Sequence, residues 1–399
     1  MKVFFVGSLY PDNRINEFIS NSKKSIDNPA NNLQNALLKG FDLYFSNIIV
    51  VTLPGVYTFP LLYRKPIVKN SIFNHKKNVI DFCVGFINIP VIKHFSRYLG
   101  LYFKLKKMTK KDENITVFIY AVHSPFLKAI FELKKIRPNL KTCLIVPDLP
   151  QYMSESKNKV YLSLKKIDLR LIDNYIKKID SFVLLNDNML EYINFDNKPW
   201  VRVEGIYNYE SQIINVDKEI FKTILYTGKI DERYGINTLL KAFSLIEDQN
   251  YRLWIRGDGN TKNNVIKASK VDSRIIYFEE MSRDELLKLQ KKATILINPV
   301  SSSESFTKFF FPSKIMDYLA SGTPTISTKI ACIPEDYYDY LYFSKGDDAE
   351  SIKEIIVNVC SKSQSELDIF GKKASEFIFD QKTPKIQVKK IIEMISKLN

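Results

Sequence analysis

The sequence predicts an α/β protein of two domains, each built on a parallel sheet, and three observations carry that expectation. Length comes first: 399 residues, 45% of them apolar, exceed one ordinary core and are far too apolar for disorder. Second, short strand-like runs alternate with helical patterns along the whole chain, the pattern of parallel strands joined by crossover helices. Third, this alternation is interrupted by a polar stretch near residues 206–220 and then restarts.

In the first half the strand-like runs are "KVFFVGS", "NIIVVTL", "ITVFIYA", "TCLIVP" and "SFVLLN". In the second they are "KTILYTGKI", "YRLWIRGDGN", "SRIIYFEE", "ATILINPV" and "TPTISTK". The expected domains are therefore 1–205 and 206–375, and 376–399 is expected to form a last amphipathic helix long enough to cross back onto the first domain. No repeat or low-complexity tract is visible.

Composition excludes several classes of function. Cys83, Cys143, Cys332 and Cys360 are widely spaced without a CxxC, which argues against a metal knuckle or disulfide framework and for a reducing cytoplasm. Met1 leads straight into a strand, leaving no room for a signal peptide, and the longest apolar run, 82–92, is too short to span a bilayer. The net charge of +15 is local: residues 60–113 hold twelve Lys/Arg against three Asp/Glu, or +9. Aromatics interleave with the charges in "PVIKHFSRYLGLYFKLKKMTKK", which reads as a basic amphipathic helix suited to an anionic membrane surface, with a solvated helix as the plain alternative. No nucleic-acid module signature accompanies it, so nucleic acid is not an expected partner.

Four turns of the second half each follow an expected strand, where open α/β sheets bind ligands. In "YTGKIDERYGINTLLKAF", Gly228 permits close backbone approach while Lys229 and Arg233 flank the turn, a seat for a diphosphate. "RGDGN" places Gly257 at a strand end. In "YFEEMSRDEL", Ser282 and Glu285 make a capping box, so Glu279 to Met281 form a loop able to read a nucleobase. The last is "ESFTKFFFPSKIMDYLASGTPTI": Pro312 fits a helix start and Gly322 with Pro324 the stop, giving a helix over about 312–321 with Ile315, Tyr318 and Leu319 on its buried stripe. Ser313, Lys314 and free backbone N–H groups at its start suit phosphate, and Asp317 one turn on suits sugar hydroxyls.

The order and spacing of these pieces resemble the family 4 retaining glycosyltransferases of the GT-B fold, over roughly 220–375, and more loosely in the first half through "NNLQNALLKGF", "VHSPFLKA", "IVPDLPQYM" and "VRVEGI". The resemblance implies two Rossmann-like domains facing a cleft, nucleotide-sugar on the second and acceptor on the first. It also implies that Lys229 touches the diphosphate and that Asp317, on the second acidic position of the E-x7-E motif, holds ribose. Two residues depart from the family pattern. Phe309 stands where relatives carry the Glu that binds the donor hexose, leaving Glu304 or Lys308 as replacements, and the second basic position of the Gly-Lys turn is Tyr234, with Arg233 beside it. "FTKFFFPSK" resembles a subgroup of capsule and exopolysaccharide synthesis, and its three Phe are expected to close over the donor.

In the first half, Gly7 ends the first strand ahead of a loop positioned to admit the acceptor. His123 follows "ITVFIYAV", near the place where relatives set a His by the anomeric carbon, and Asp148 in "VPDLP" is placed to orient the acceptor hydroxyl or to cap a helix. The resemblance implies ionisation of the sugar–phosphate bond, its leaving group stabilised by Lys229, Arg233, Ser313 and Lys314. No Asp-x-Asp occurs, so neither metal nor cofactor is expected, and a UDP-sugar is the favoured donor. The expected enzyme works in the cytoplasm, peripheral on the inner membrane face, on a saccharide or lipid-linked saccharide. The alternatives are a catalytically inactive GT-B subunit chaperoning a partner and a nucleotide-sugar 2-epimerase.

Overall fold

The computed structural model describes residues 1–397 except 25, 27, 151–158, 193–196 and 210–215. They form two compact units, Met1–Ile206 with Pro384–Asn399, and Tyr207–Thr383.

The first unit holds strands β1 (Lys2–Gly7), β2 (Ile48–Thr52), β3 (Ile67–Val68), β4 (Ser71–Phe73), β5 (Asp81–Cys83), β6 (Phe86–Ile87), β7 (Ile115–Tyr120), β8 (Leu140–Val146), β9 (Ser181–Leu184) and β10 (Trp200–Arg202). Its helices are α1 (Ile15–Asn21), α2 (Asn28–Phe41), α3 (Ile92–Met108), α4 (Ser124–Ile136) and α5 (Lys159–Ile176). Eight strands make one sheet in the order β10-β9-β8-β7-β1-β2-β5-β4, parallel everywhere except β4 on β5. Strands β3 and β6 pair separately. Near-continuous runs such as "ITVFIY", buried at every position, are what a parallel sheet covered on both faces demands.

The second unit holds β11 (Lys222–Thr227), β12 (Tyr251–Arg256), β13 (Ile275–Phe278), β14 (Ile295–Asn298), β15 (Thr325–Ser327) and β16 (Tyr342–Phe343). Among them run α6 (Ile236–Ser244), α7 (Lys262–Val271), α8 (Arg283–Lys292), α9 (Lys314–Ser321), α10 (Ala349–Cys360) and α11 (Gln364–Gln381). The sheet order is β13-β12-β11-β14-β15-β16, all parallel, the doubly wound order of a Rossmann domain.

In both sheets the order in which strands are added reverses, between β1 and β7 and between β11 and β14. The crevices outside the carboxyl ends of those strand pairs are where such sheets receive ligands.

Two expectations are corrected here. The single helix over 376–399 is two. α11 ends at Gln381, and α12 (Pro384–Ser396) belongs to the first unit, where Val388 and Ile391 share a core with Leu37, Leu38 and Phe41 of α2. Pro384 explains the break, since a residue preceding proline is disfavoured in helical geometry. The basic helix of the charged window exists as α3, but it is partly inverted: Lys93, Arg97, Leu101 and Leu105 face inward, while Ile92, Phe95 and Phe103 are exposed beside Lys106 and Lys107.

Candidate functional site

In the second unit the site grows from the turn after β11. Gly228 has φ +133° and Gly257, at the end of the neighbouring β12, φ +152°. The Gly228 N–H donates to the Arg256 carbonyl at 3.0 Å, and a Cβ on Gly257 would stand 1.8 Å from the Gly228 carbonyl oxygen. Neither turn therefore tolerates a side chain, and bare backbone is brought to the strand ends.

α9 is fastened to the same place by Tyr318. The Thr227 N–H donates to its hydroxyl at 2.7 Å, and the hydroxyl donates to the Thr227 carbonyl at 3.0 Å. One turn earlier on α9, Lys314 is thereby held against the turn, its Nζ 3.3 Å from where a Gly228 Cβ would lie. That Nζ is buried, has no hydrogen-bond partner, and lies 4.1 Å from the Tyr226 ring centre and 5.7 Å from that of Tyr234. Burial lowers the Lys314 pKa to about 7.

Lys229 reaches the same Tyr234 ring, at 5.9 Å, from the solvent side and pairs with Asp231 at 3.9 Å. Arg233 also turns to Asp231, at 3.5 Å. Asp231, nearly buried and further bound by Asn260, is a hub that spacing alone did not reveal. Tyr234, the residue that departs from the family pattern, is thus the ring beside which two ammonium groups gather.

Asp317 lies about a third exposed, one helical step beyond, where Arg283 at the start of α8 bonds it at 3.0 Å. Burial raises the Asp317 pKa and Arg283 opposes the rise. Arg283 lies 3.1 Å over the Tyr209 ring, a contact no spacing signalled. The Ser282–Glu285 capping box is present, with exposed Glu279 and half-buried Met281 in the loop before it. After β14, Asp347 accepts from the Ser301 hydroxyl and the Ser302 N–H, holding the chain that leads through Glu304 and exposed Lys308 to α9.

The α9 start differs from expectation. The helix begins at Lys314, and the Ile315 and Met316 N–H groups donate to the carbonyls of Pro312 and Ser313, so those two are not open to a ligand. The Ser313 hydroxyl is exposed and caps nothing. Nor is the phenylalanine run a lid. Phe309 and Phe311 are buried, and Phe311 packs on Tyr337 in the core that also holds Ile315 and Leu319. Apolar rings bury more surface there than over a polar ligand, so they anchor the entry to α9.

In the first unit the structure sets Gly7 and His123 at the β1/β7 reversal. The space beside Gly7 is filled by Gln34, whose Oε1 accepts the Ser8 N–H at 2.9 Å. His123 precedes α4, its Nε2 buried without a partner, its ring edge-on to Phe126 at 4.8 Å and 5.5 Å from His94. Burial first, then Arg97, holds its pKa well below the usual histidine value, so the ring is neutral at neutral pH. Asp148 is exposed at the end of β8. Among the described residues no cluster of three His, Cys, Asp or Glu fit for a metal ion occurs, and no helix is long and apolar enough to cross a membrane.

Residues 221–362 match the family described as glycosyl transferases group 1. That match covers most of the second unit, which is a glycosyltransferase domain. Comparison with curated protein sequences gives no match. Solved structures similar to the whole chain include sucrose-phosphate synthase from Thermosynechococcus elongatus, 12% identical with a TM-score of 0.68 and all of both chains covered. HepE from Anabaena in complex with UDP is 10% identical, TM-score 0.64, again with all of both chains covered. TarM from S. aureus, as a variant in complex with fondaparinux, alpha-GlcNAc-glycerol and UDP, is 10% identical, TM-score 0.62, with 99% of each chain covered. The likeness establishes the GT-B fold, with its two Rossmann-like domains.

Proposed function

We propose that this glycosyltransferase, whose second unit is of group 1, moves a sugar with retention of configuration from a UDP-sugar on that unit to a saccharide acceptor on the first. The observation that carries the reading is Lys314: a buried ammonium without a hydrogen-bond partner, pressed against the glycine turn where the doubly wound sheet reverses. A diphosphate supplies the counter-charge it lacks. UDP in the HepE and TarM structures supports the choice of base.

Charge grows on the diphosphate as the sugar–phosphate bond breaks, and Lys314 and Lys229 stabilise it from two sides of the turn, with Arg233 and the Ser313 hydroxyl at its margin. Asp317 takes the ribose hydroxyls, exchanging part of its bond to Arg283. Met281, Glu279 and the backbone at Gly257 border the nucleoside, and Glu304 or Lys308 contacts the hexose. Neutral His123 offers a hydrogen bond to the sugar without competing for the leaving group's negative charge, and Asp148 orients the acceptor. Basic residues do the work that a divalent metal would do.

A second observation favours a lipid-linked acceptor. Exposed Ile92, Phe95 and Phe103 alongside Lys106 and Lys107 suit the headgroup layer of an anionic membrane, as expected of an enzyme of surface polysaccharide synthesis, such as capsule or exopolysaccharide, on the inner membrane face.

The test is a thermal-shift panel of nucleoside diphosphates on the intact protein. UDP at about 100 times its dissociation constant adds roughly 2.7 kcal/mol of stability, and the reading predicts that UDP ranks first and that Lys314→Met diminishes the shift. Equal shifts with and without Lys314, or none for any nucleotide, would overturn it.

A further inference from the structure

Two buried cations among the described residues have acidic partners. Arg274, 8% exposed, bonds both oxygens of Asp272, at 3.0 and 2.7 Å. His75 lies between Asp81 at 2.6 Å and Asp42 at 3.4 Å. The inward face of α3, like Lys314 in the second unit, differs. Arg97, 5% exposed, gives Nη2 to the Leu53 carbonyl at 2.6 Å, while its Nε is buried with no partner. Lys93, one turn earlier and 8% exposed, gives Nζ to the Val56 carbonyl at 2.6 Å.

Neither has an acidic partner among the described residues. The groups that face them are Tyr10 after β1, Cys83 of β5, and His94 and His123, with Asp168 of α5 acting on His94. Burial lowers Lys93 to about 7 and Arg97 to about 10.

The location matters as much as the missing charge. Arg97 lies 5.3 Å over Phe126 in the first turn of α4, next to the orphan Nε2 of His123 and bonded to the chain leaving β2. Strands β7, β1 and β2 are consecutive in the sheet, so the cluster sits at the carboxyl end of the β1/β7 reversal. Two buried cations among neutral carbonyls leave net positive charge where a ligand is expected. Buried charge of this kind is costly unless it is paired.

We propose that the first unit binds an oxyanion of the acceptor, a phosphate or a carboxylate, at the carboxyl ends of β1 and β7, held by Arg97 and Lys93. The proposal rests on the acceptor reading of this unit and adds the chemical class that the acceptor carries. The reaction preceding this enzyme then leaves a phosphorylated or acidic group on the saccharide or its carrier.

The test uses the full chain saturated with UDP, so that the second unit's diphosphate site is filled. Calorimetric titration with pyrophosphate, glucose 6-phosphate, glucuronate and glucose separates the sources. Binding of the anions but not of glucose is expected, phosphates tighter if the group is a phosphate and glucuronate tighter if it is a carboxylate. Arg97→Gln and Lys93→Gln should each weaken the anion tenfold or more, Arg97→Lys should retain most of it, and Lys389→Gln on the exposed face of α12 should change nothing. A preserved UDP thermal shift in each variant shows that it is folded. Anions that bind no better than glucose, or binding that survives both Gln variants, would overturn the proposal. Failure of UDP to bind would instead sink the functional reading on which it rests.

Discussion

The two strand reversals solve one problem from opposite directions. In the second unit the cation comes from within the strand–turn–helix succession: Gly228 ends β11, and Tyr318 locks α9 to Thr227 so that Lys314 meets the turn. In the first unit the cations come from α3, which follows β6 of the small separate pair and reaches the β1/β7 end from outside the main sheet's succession. One site is built by local chain order and the other by a helix imported from elsewhere. Function is easiest to read where the chain's own order builds the site.

The largest expected effect tests what fixes the locally built site. Phe311→Ala removes a core ring beneath α9 and should cost about 3–5 kcal/mol of stability, measured by denaturant unfolding, while the folded fraction keeps its UDP affinity. Loss of affinity at unchanged stability would restore the lid.

Next, Lys314→Met should lower kcat by about 10²–10³, the usual loss for one transition-state donor. The pH dependence sharpens this. In the free protein the Lys314 pKa lies near 7, below its ordinary 10.5. Its burial therefore disfavours the charged form, and that destabilisation is relieved as pH rises from 7 towards 10.5. A bound diphosphate favours the ammonium, so UDP affinity should fall by up to about tenfold per pH unit above 7 in the wild type and stay flat in Lys314→Met. A flat wild-type profile would detach Lys314 from the phosphates.

The smallest effect concerns the outer edge of the site. Asp317→Ala should weaken UDP and UDP-sugar alike by about 1.5–3 kcal/mol, a hydrogen bond to a charged group. A loss confined to the UDP-sugar would move Asp317 from ribose to hexose.

Much of the architecture was legible because a parallel sheet leaves a strong signature. Fully buried strands read as apolar runs: "KVFFVGS" and "ITVFIYA" each contain the strand they suggested, and "TCLIVP" covers all but the first two residues of its strand. The Gly-Lys turn and the Pro-Ser-Lys helix were legible for the same reason, each being a short-range pattern at a strand end. Tyr318 was placed on the buried stripe, but its hydroxyl tether to Thr227 joins positions 91 residues apart, which no local pattern reports.

The misreading of α3 is instructive. Charge and aromatic content suggested cations facing outward, yet Lys93, Arg97, Leu101 and Leu105 recur every fourth residue, and that spacing already put both cations on the leucine stripe. The phenylalanine run misleads in the opposite way: its place before α9 suggests a ligand role, while plain apolar burial explains Phe309 and Phe311.

The placement of α12 bears on how the polypeptide is born. Val388, Ile391 and Met394 complete an apolar face with α2 and the first strands, but they emerge from the ribosome only after all of residues 207–383. The first unit to be translated is thus the last to be closed, and at about 5–20 residues per second its apolar face waits roughly ten seconds or longer for its cover. A chaperone acting on this nascent chain would find its hold on the older half.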